Sequence, residues 1–517
     1  MAITRRSRAG RAARTASSPR HLPRALSTTR RRALIVDLNN FSTFPTLAVG
    51  ILVASLRNAG HDAEVLCPLA HGVIAAVRER RESYVDHLKR MLRLTTHPYL
   101  RPLRDVTNEG RRWWRDKPNA RVIAETRRAL DRRPDVVLLS AYMQHHATVV
   151  AIGKEAQKRG IPMILGGPMF NIKGSAEAWC RTPGLAAVFG GEADIVLPQL
   201  VERVCEREDL LSIPGVMLPT AESNLPAPPL ADLDQIPIPD FSDFPWDRYR
   251  HRIVPLMTGR GCQWNRCAFC SDIVSASGRT FRTRSLESVL VEMREQSRRH
   301  HTTSFNFLDL KLNSYPKLLR GMAENVQRYV PGAEWIGAVH VDLRRDNGLS
   351  QRDLRALARA GMRRVSFGLE TGSQRLYDLF DKGSRIDAAS AFIRYAHEAG
   401  LSVRCTMFTG FPGEGAEDLK TTAAFLRDHT PYIDRVRFNP FTLFADTAIF
   451  DRLNQADDNE TPIRVGRFNY RRSFIEPINR DTERVAYRNA KFETLRAIYA
   501  INRREVRLGA RAFDGLM

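Results

Sequence analysis

Several common features are missing from this 517-residue sequence, and each absence removes a class of protein. It has no uninterrupted apolar run of about 18 residues, the length that a membrane-spanning helix needs. Its seven cysteines are an odd number and no secretory apolar segment opens the chain, so a disulfide framework is not expected. Helix-turn-helix, zinc-finger and RNA-recognition patterns are also missing, although the formal net charge is +23. We therefore expect a soluble, cytoplasmic protein without a membrane partner, for which nucleic acid is a disfavoured partner.

The positive charge is concentrated at the beginning of the chain. Residues 1–32 contain ten arginines and no acidic residue. Such a segment cannot bury a core, so we expect a basic, disordered arm. An organellar transit peptide and a later start of translation are two other interpretations that this composition allows.

The alternation of short apolar runs with amphipathic stretches predicts an α/β protein. Residues 33–210 predict a doubly wound, Rossmann-like domain with a parallel sheet, interrupted by a charged, partly helical insertion at about 72–133. Residues 211–252 are rich in proline and aspartate and predict an extended linker. Six further strand–helix units at 253–445 predict a partial (β/α)6 barrel, and residues 446–517 predict a mainly helical C-terminal segment.

Three of the seven cysteines, Cys262, Cys267 and Cys270, follow directly after the first predicted strand of the second domain. Active sites of such sheets lie at the carboxyl ends of the strands, so this loop falls on the catalytic side. Thiolates at this density bind an iron–sulfur cluster or zinc. A structural zinc usually has four ligands, and His251 or His300 would have to complete that set. Three cysteines on a 4Fe-4S cluster instead leave one iron open to a small molecule, and we favour this interpretation over zinc.

The segment from Gly259 to Cys270 resembles the cysteine loop of the radical SAM superfamily. That family usually spaces its cysteines C-x3-C-x2-C and places an aromatic residue before the last one. Here the first gap has four residues, and Phe269 is the aromatic residue. The resemblance implies that the open iron binds S-adenosylmethionine and cleaves it to a radical. It also implies an external one-electron reductant of the flavodoxin or ferredoxin type.

Three later segments, FNFLDLK, VSFGLETGS and FTGFPGE, resemble the second-, fourth- and fifth-strand motifs of this family in the same order. These motifs also have a purely structural explanation. An acidic residue at a strand end is common on protein surfaces, and a tight turn requires glycine whether or not a ligand binds there. The resemblance covers residues of about 253–445. It implies contacts to S-adenosylmethionine from Phe269, from Asp309 near the active site, from Glu370 to the amino group or ribose, from Arg404 to the carboxylate and from Gly410 near adenine.

The first domain resembles the cobalamin-binding domain that precedes the radical domain in one large radical SAM subfamily. The matching pieces are the segment 45–61, which ends in Ala-Gly-His, the strand at 135–140 and two glycine turns. The Asp-x-His-x-x-Gly motif, which supplies an axial histidine in other cobalamin proteins, is absent, and a degenerate domain without cofactor is the alternative. The resemblance implies cobalamin contacts from Ser140, Gly166, Gly167, Gly190 and Gly191.

Together these resemblances predict a cobalamin-dependent radical SAM enzyme that methylates an unactivated carbon of a small-molecule or peptide substrate. A radical rearrangement, cyclisation or dehydrogenation without methyl transfer is one alternative. A basic nucleic-acid-binding protein with a structural zinc is another. The sequence identifies neither the substrate nor a catalytic residue beyond the cofactor sites.

Overall fold

The computed structural model describes most of the chain after residue 28. The expected basic arm at residues 1–32 therefore lies outside the described residues, apart from its last four positions. Within the described part of the chain, no helix is long and apolar enough to cross a membrane. The described ranges are 29–39, 43–73, 81–272, 281–344, 348–445, 447–455, 463–464, 474–475 and 477–516.

The first half of the described chain alternates strands and helices, as the sequence predicts. Its elements are β1 (Arg32–Val36), α1 (Leu47–Asn58), β2 (Asp62–Leu66), α2 (Tyr84–Leu94), α3 (Arg101–Asp116), α4 (Ala120–Asp131), β3 (Val136–Ser140), α5 (His146–Lys158), β4 (Met163–Gly166), α6 (Lys173–Trp179), β5 (Leu185–Phe189), α7 (Leu197–Glu206) and β6 (Val216–Met217). The sheet has the order β2-β1-β3-β4-β5-β6. The first five strands are parallel, and the short β6 is antiparallel to β5.

Helices cover both faces of this sheet because alternate side chains of each strand point to opposite faces. In β1, Ala33 and Ile35 join the core that includes α1 and α7, whereas Leu34 and Val36 join a second core that includes α4 and α5. A sheet buried on both faces needs apolar residues at every position, which explains the continuous apolar runs in the sequence. Since α4 packs on the sheet, α2 and α3 are the helices of the predicted insertion, among its described residues, that are additional to the doubly wound fold.

The proline-rich segment 211–252 packs along the first domain. Its first part supplies β6, and Phe241 further along is fully buried. Arg57 of α1 holds the segment through ion pairs with Asp240 at 2.6 Å and Asp243 at 2.9 Å. The segment thus connects the two domains while adding a strand to the first of them.

The second half forms a second parallel sheet. Its elements are β7 (Ile253–Leu256), β8 (Gly259–Arg260), β9 (Arg282–Thr283), α8 (Leu286–His300), β10 (Ser304–Phe307), α9 (Pro316–Tyr329), β11 (Glu334–Val339), α10 (Gln351–Arg359), β12 (Met362–Glu370), α11 (Gln374–Leu379), α12 (Ile386–Glu398), β13 (Ser402–Thr409), α13 (Ala416–Asp428) and β14 (Arg435–Pro440). The six long strands have the order β14-β13-β12-β11-β10-β7. Among the described strands, β7 and β14 do not pair, so the barrel is open.

The C-terminal segment is mainly helical, as predicted. It also has two short antiparallel strand pairs, Leu443–Phe444 with Phe474–Ile475 and Ile463–Arg464 with Ile478–Asn479. The longer helix packs along α13 of the barrel and buries Tyr487 and Ile498. The elements are β15 (Leu443–Phe444), α14 (Ala448–Gln455), β16 (Ile463–Arg464), β17 (Phe474–Ile475), β18 (Ile478–Asn479) and α15 (Val485–Asn502).

Candidate active site

A cavity of about 530 Å³ lies between the first sheet and the barrel. Since parallel strands end at the same edge of a sheet, residues that follow β3, β4 and β5 meet on its first wall. Leu47, Ile51 and Leu138 make much of that wall apolar. Met257 and Leu308 of the barrel lie on the opposite wall. The cavity is thus bordered by the carboxyl ends of strands from both domains.

Four of the five glycine and serine positions proposed for cobalamin line this cavity: Ser140, Gly166, Gly167 and Gly191. At Gly167 a Cβ atom would come within 2.2 Å of the Ala141 carbonyl oxygen. At Gly190, which is absent from the lining, a Cβ atom would come within 2.2 Å of the Phe170 carbonyl oxygen. These two glycines are therefore required by the packing of their own loops. At Gly166 the nearest atom to an added Cβ is a carbonyl oxygen 3.8 Å away, so this glycine keeps space open in the cavity.

The cysteine loop leaves the barrel at the second wall of the cavity. It begins after β8 and returns through β9, and the two short strands pair in antiparallel fashion, with Gly259 opposite Thr283. Gly259 and Gly261 line the cavity. Residues 273–280 of the loop lie outside the described residues. The short ladder therefore closes the base of the loop that carries the three cysteines.

The tip of the cysteine loop is anchored on the turn that follows α11. Trp264 Nε1 donates to the Asp381 carbonyl oxygen at 2.7 Å, and the Ala268 amide donates to the Phe380 carbonyl oxygen at 2.8 Å. A Cβ atom on Gly383 would come within 2.2 Å of the Trp264 ring, so only glycine allows this contact. These contacts hold the chain on either side of Cys267 in place.

The three thiols lie within the electrostatic reach of two buried lysines. Burial raises the pKa of Cys267, and the ammonium of Lys382 opposes that rise. Burial alone would lower the pKa of Lys382, but Glu370 and the sulfurs of Cys267 and Cys270 raise it above its ordinary value. Burial lowers the pKa of Lys311, and the sulfur of Cys262 opposes that fall. Within the described residues, no three His, Cys, Asp or Glu side chains converge on a single metal ion. A cluster does not require such convergence, because each of its cysteines binds a different iron.

Glu370 lies beside the cysteine loop at the carboxyl end of β12. Its carboxylate accepts a hydrogen bond from Lys382 Nζ at 2.9 Å, and both side chains are buried. The Lys382 ammonium also lies 5.9 Å from the centre of the Phe269 ring. Phe269 packs edge-on against Phe408 at 4.9 Å between ring centres. The fold therefore brings Phe269 and Glu370 together with the cysteines.

Asp309 follows β10 and is tied to the end of β7. Its carboxylate accepts from the Thr258 amide at 3.0 Å and from the Thr258 hydroxyl at 2.6 Å. Burial raises the pKa of Asp309 to about 6, although these hydrogen bonds oppose the rise. The contacts connect two barrel strands immediately before the cysteine loop.

The turn that contains Gly410 is held by the C-terminal helix. Gly410 has a φ of +87° and donates its amide to Glu414 Oε2 at 2.5 Å. The buried Glu414 also accepts from the Thr409 hydroxyl at 2.9 Å and from the Tyr487 hydroxyl of α15. Burial lowers the pKa of the neighbouring Lys491 to about 8. Tyr487 and Lys491 were missed by the sequence analysis because their helix carries no motif.

Arg404 is not brought together with the other predicted residues. It is the third residue of β13, opposite Ser366. Glu370 lies opposite Met407, three residues further along the strand, a separation of about 10 Å. The charge of Arg404 acts on Arg364, which lies toward the amino ends of the strands. The expected contact of Arg404 with the carboxylate of S-adenosylmethionine stays a prediction.

Two arginines at the base of the cysteine loop bind the first domain. Arg260 forms two contacts of 2.7 Å with the carboxylate of Asp194. Arg282 binds Glu192 at 2.7 and 2.9 Å and also donates to the Leu230 carbonyl oxygen at 2.6 Å. These four side chains couple the position of the cysteine loop to the glycine turn after β5. The sequence showed the Gly-Gly-Glu turn but not the partner of its glutamate.

Two further polar groups at the barrel mouth were missed. Lys311 and Asp342 form a buried ion pair of 2.7 Å. His340, directly after β11, has two buried ring nitrogens without a hydrogen-bond partner among the described residues. Burial and the nearby Lys382 and Lys311 ammoniums hold the pKa of His340 well below its ordinary value. The sequence feature that could have revealed these residues is their position just after strands, because active sites of such sheets lie at the carboxyl ends of the strands.

Residues 256–426 match the family described as the radical SAM superfamily. The chain is 26% identical over 328 residues to a Pyrococcus horikoshii protein named "Uncharacterized methyltransferase PH0819", which covers 62% of this chain and 69% of that protein. It is 25% identical over 313 residues to the anaerobic magnesium-protoporphyrin IX monomethyl ester cyclase of Cereibacter sphaeroides. That match covers 58% of this chain and 48% of the cyclase.

Two solved structures are similar in fold to this chain. The radical S-adenosylmethionine methyltransferase TsrM from Kitasatospora setae, solved with cobalamin and a 4Fe-4S cluster, has a TM-score of 0.58 at 17% identity, covering 82% of this chain and 75% of TsrM. The cobalamin-dependent S-adenosylmethionine radical enzyme OxsB, solved with aqua-cobalamin and S-adenosylmethionine, has a TM-score of 0.61 at 14% identity. This match covers 86% of this chain and 64% of OxsB. These likenesses confirm the predicted α/β fold.

Proposed function

Because residues 256–426 match the radical SAM superfamily, we propose that this chain is a cobalamin-dependent enzyme that methylates an unactivated carbon. The observation that carries the proposal is the cavity shared by the two proposed cofactor sites. Ser140 and Gly166 of the first domain and Gly259 and Gly261 of the cysteine loop line this one space. A bound 4Fe-4S cluster, once reduced, would supply the electron for cleavage of S-adenosylmethionine, and bound cobalamin would supply the methyl group.

Cys262, Cys267 and Cys270 are the residues that would hold the cluster. The donor set fits, because soft thiolates are the usual ligands of iron–sulfur clusters. The Lys382 ammonium opposes the burial that raises the pKa of Cys267.

Glu370, Phe269 and the Gly410 turn are the residues that would position S-adenosylmethionine. Glu370 already binds one ammonium, that of Lys382, and can accept equally well from the amino group of methionine. The Gly410 turn offers an open surface, since an added Cβ atom there would meet nothing within 4 Å. Tyr487 and Glu414 hold that turn in position.

Ser140, Gly166, Gly167 and Gly191 are the residues that would face cobalamin. The fit rests on two observations: Gly166 leaves room where a side chain would enter, and the wall formed by Leu47, Ile51 and Leu138 is apolar. Apolar walls with a few placed polar groups are typical of cofactor pockets. The chain's part is to bind and orient the cofactor and to keep water from the reacting atoms.

The proposal is tested with protein produced in the presence of cobalamin and reconstituted anaerobically with iron and sulfide. We expect the absorption spectra of both cofactors, and with an electron donor and substrate extracts we expect S-adenosylhomocysteine together with 5′-deoxyadenosine. Replacing Cys262, Cys267 and Cys270 by alanine should abolish the iron chromophore and all cleavage of S-adenosylmethionine. Cleavage that persists in this variant would refute the assignment.

The alternatives give different results in the same experiment. Formation of 5′-deoxyadenosine without S-adenosylhomocysteine indicates a radical reaction without methyl transfer, because only methyl transfer produces S-adenosylhomocysteine. One zinc per chain and no iron after reconstitution indicates the zinc-containing nucleic-acid-binding protein instead. Cys405, which is fully buried, provides a matched control, since its replacement by alanine leaves the loop cysteines intact.

A further inference from the structure

Helix α3 contributes nothing to the core of the protein. None of its 16 residues is buried, although its apolar residues recur at helical spacing. Leu103, Val106, Trp113 and Trp114 are 54%, 68%, 64% and 74% exposed. An amphipathic helix normally turns such a stripe toward the core. The exposed stripe of α3 therefore requires another explanation.

The polar side of α3 faces the protein instead. Arg104, Asn108, Arg112 and Asp116 are spaced four residues apart, lie in one line along the helix and are all partly buried. Arg104 Nη1 donates to the carbonyl oxygen of Thr95 at 2.7 Å. Polar contacts thus hold the helix in the orientation that exposes its apolar stripe.

Exposed apolar residues also lie on the adjacent helix α2 and on the α2–α3 connection. The exposed residues of α2 and of the α2–α3 connection lie next to α3 in sequence, and α2 packs against α3. Single exposed apolar residues are normal, but a group of them marks an interaction surface. The α2–α3 apolar surface consists of Tyr84, Val85, Leu88, Tyr99, Leu100, Leu103, Val106, Trp113 and Trp114.

The charge around this surface distinguishes between possible occupants. Residues 81–117, which include α2 and α3, contain ten lysines and arginines and five acidic residues. A second copy of the chain, or the arginine-rich residues 1–32, would meet this region with like charge. Anionic lipid headgroups complement it. Aromatic and leucine residues on one side of a helix with arginines on the other are typical of helices that lie in a membrane interface.

We propose that the α2–α3 apolar surface docks this protein on an anionic membrane, with α3 lying in the plane of the interface. The helix packs against residues 143–145 and the start of α5, close to Tyr142, which lines the interdomain cavity. Docking therefore places the rim of that cavity next to the lipid. This proposal departs from the sequence-based expectation of no membrane partner, which rested on the lack of a membrane-spanning apolar run.

The test measures binding of the purified full-length chain to vesicles, without any substrate. Vesicles of equal parts phosphatidylglycerol and phosphatidylcholine are compared with vesicles of phosphatidylcholine alone, by co-sedimentation and by tryptophan emission. We expect binding to the anionic vesicles, weakened by salt, with a shift of the emission to shorter wavelength. The variant Leu103→Gln/Trp113→Gln/Trp114→Gln should bind about tenfold or more weakly, because three buried apolar contacts with the lipid are lost.

The matched control is Val485→Gln/Leu508→Gln, which removes two apolar side chains exposed by 61% and 77% elsewhere on the chain. It should bind vesicles like the wild type. The proposal fails if the wild type does not bind anionic vesicles, or if the triple variant binds as well as the control. It also fails if light scattering shows a wild-type dimer that the triple variant dissociates, since a second copy would then cover the surface. All these substitutions are at exposed positions, and circular dichroism verifies that each variant is folded.

Discussion

Replacing Asp309 by asparagine tests whether burial sets the charge of this carboxyl. The side chain is 7% exposed, and its pKa is raised from an ordinary 3.8 to about 6. The folded protein therefore holds the proton of Asp309 more tightly than the unfolded chain does. Folding benefits from this carboxyl below about pH 4, and the benefit is lost as the pH rises through about 6.

The pKa difference between the folded and unfolded states sets how much stability is lost as the pH rises. A rise from 3.8 to about 6 corresponds to about 3 kcal/mol of stability lost between the acid and neutral limits. Asparagine has no charge to bury and keeps an oxygen that can accept from the Thr258 amide, while the Thr258 hydroxyl can accept from its amino group. The Asp309→Asn variant should therefore gain stability relative to the wild type as the pH rises from 4 to 7.

The assay is the urea midpoint of cluster-free protein at pH values between about 4 and 7. Asp353→Asn is the control, because Arg320 holds the pKa of Asp353 at about 2, so its contribution is lost only below the tested range. The difference between Asp353→Asn and the wild type should be constant across this range. A constant difference between Asp309→Asn and the wild type would refute the assigned cause.

Three further substitutions test other parts of the site. Glu192→Gln weakens the ion pair with Arg282. Since a hydrogen bond to a charged group contributes about 1.5–3 kcal/mol, we expect several-fold faster proteolysis in the cysteine loop. An unchanged rate of proteolysis would contradict the coupling of the two domains. Tyr487→Phe removes one donor from Glu414 and should lower the free energy of unfolding by about 1–2 kcal/mol in urea titrations, which an unaltered midpoint would disprove. Glu370→Gln should weaken binding of S-adenosylmethionine about tenfold in calorimetry at unchanged iron content, whereas loss of iron would assign Glu370 to cluster binding.

Much of the architecture is visible in local patterns. The apolar runs at 33–37 and 135–140 predict buried parallel strands, because a strand covered on both faces needs apolar residues at every position. The cysteine spacing is likewise local, and its position after a strand predicts the edge of the sheet on which it lies. The sequence alone therefore determined the α/β class, the order of the two domains and the location of the cysteine loop.

The tertiary structure decided which distant residues meet. Arg282 and Glu192 are 90 positions apart, and Tyr487 and Glu414 are 73 apart, so no periodicity within either segment reveals the pairs. The sequence placed Arg404 on a strand, but only the strand register shows that it lies three residues before the position opposite Glu370.

The orientation of helix α3 was also decided by the tertiary structure. Helical periodicity predicts that Leu103, Val106 and Trp113 share one stripe, since residues three and four apart lie on the same face. Which face turns toward the protein depends on partners far along the chain, such as Glu483, which pairs with Arg101. Local spacing thus determined the elements and their faces, and long-range contacts determined how those faces were used.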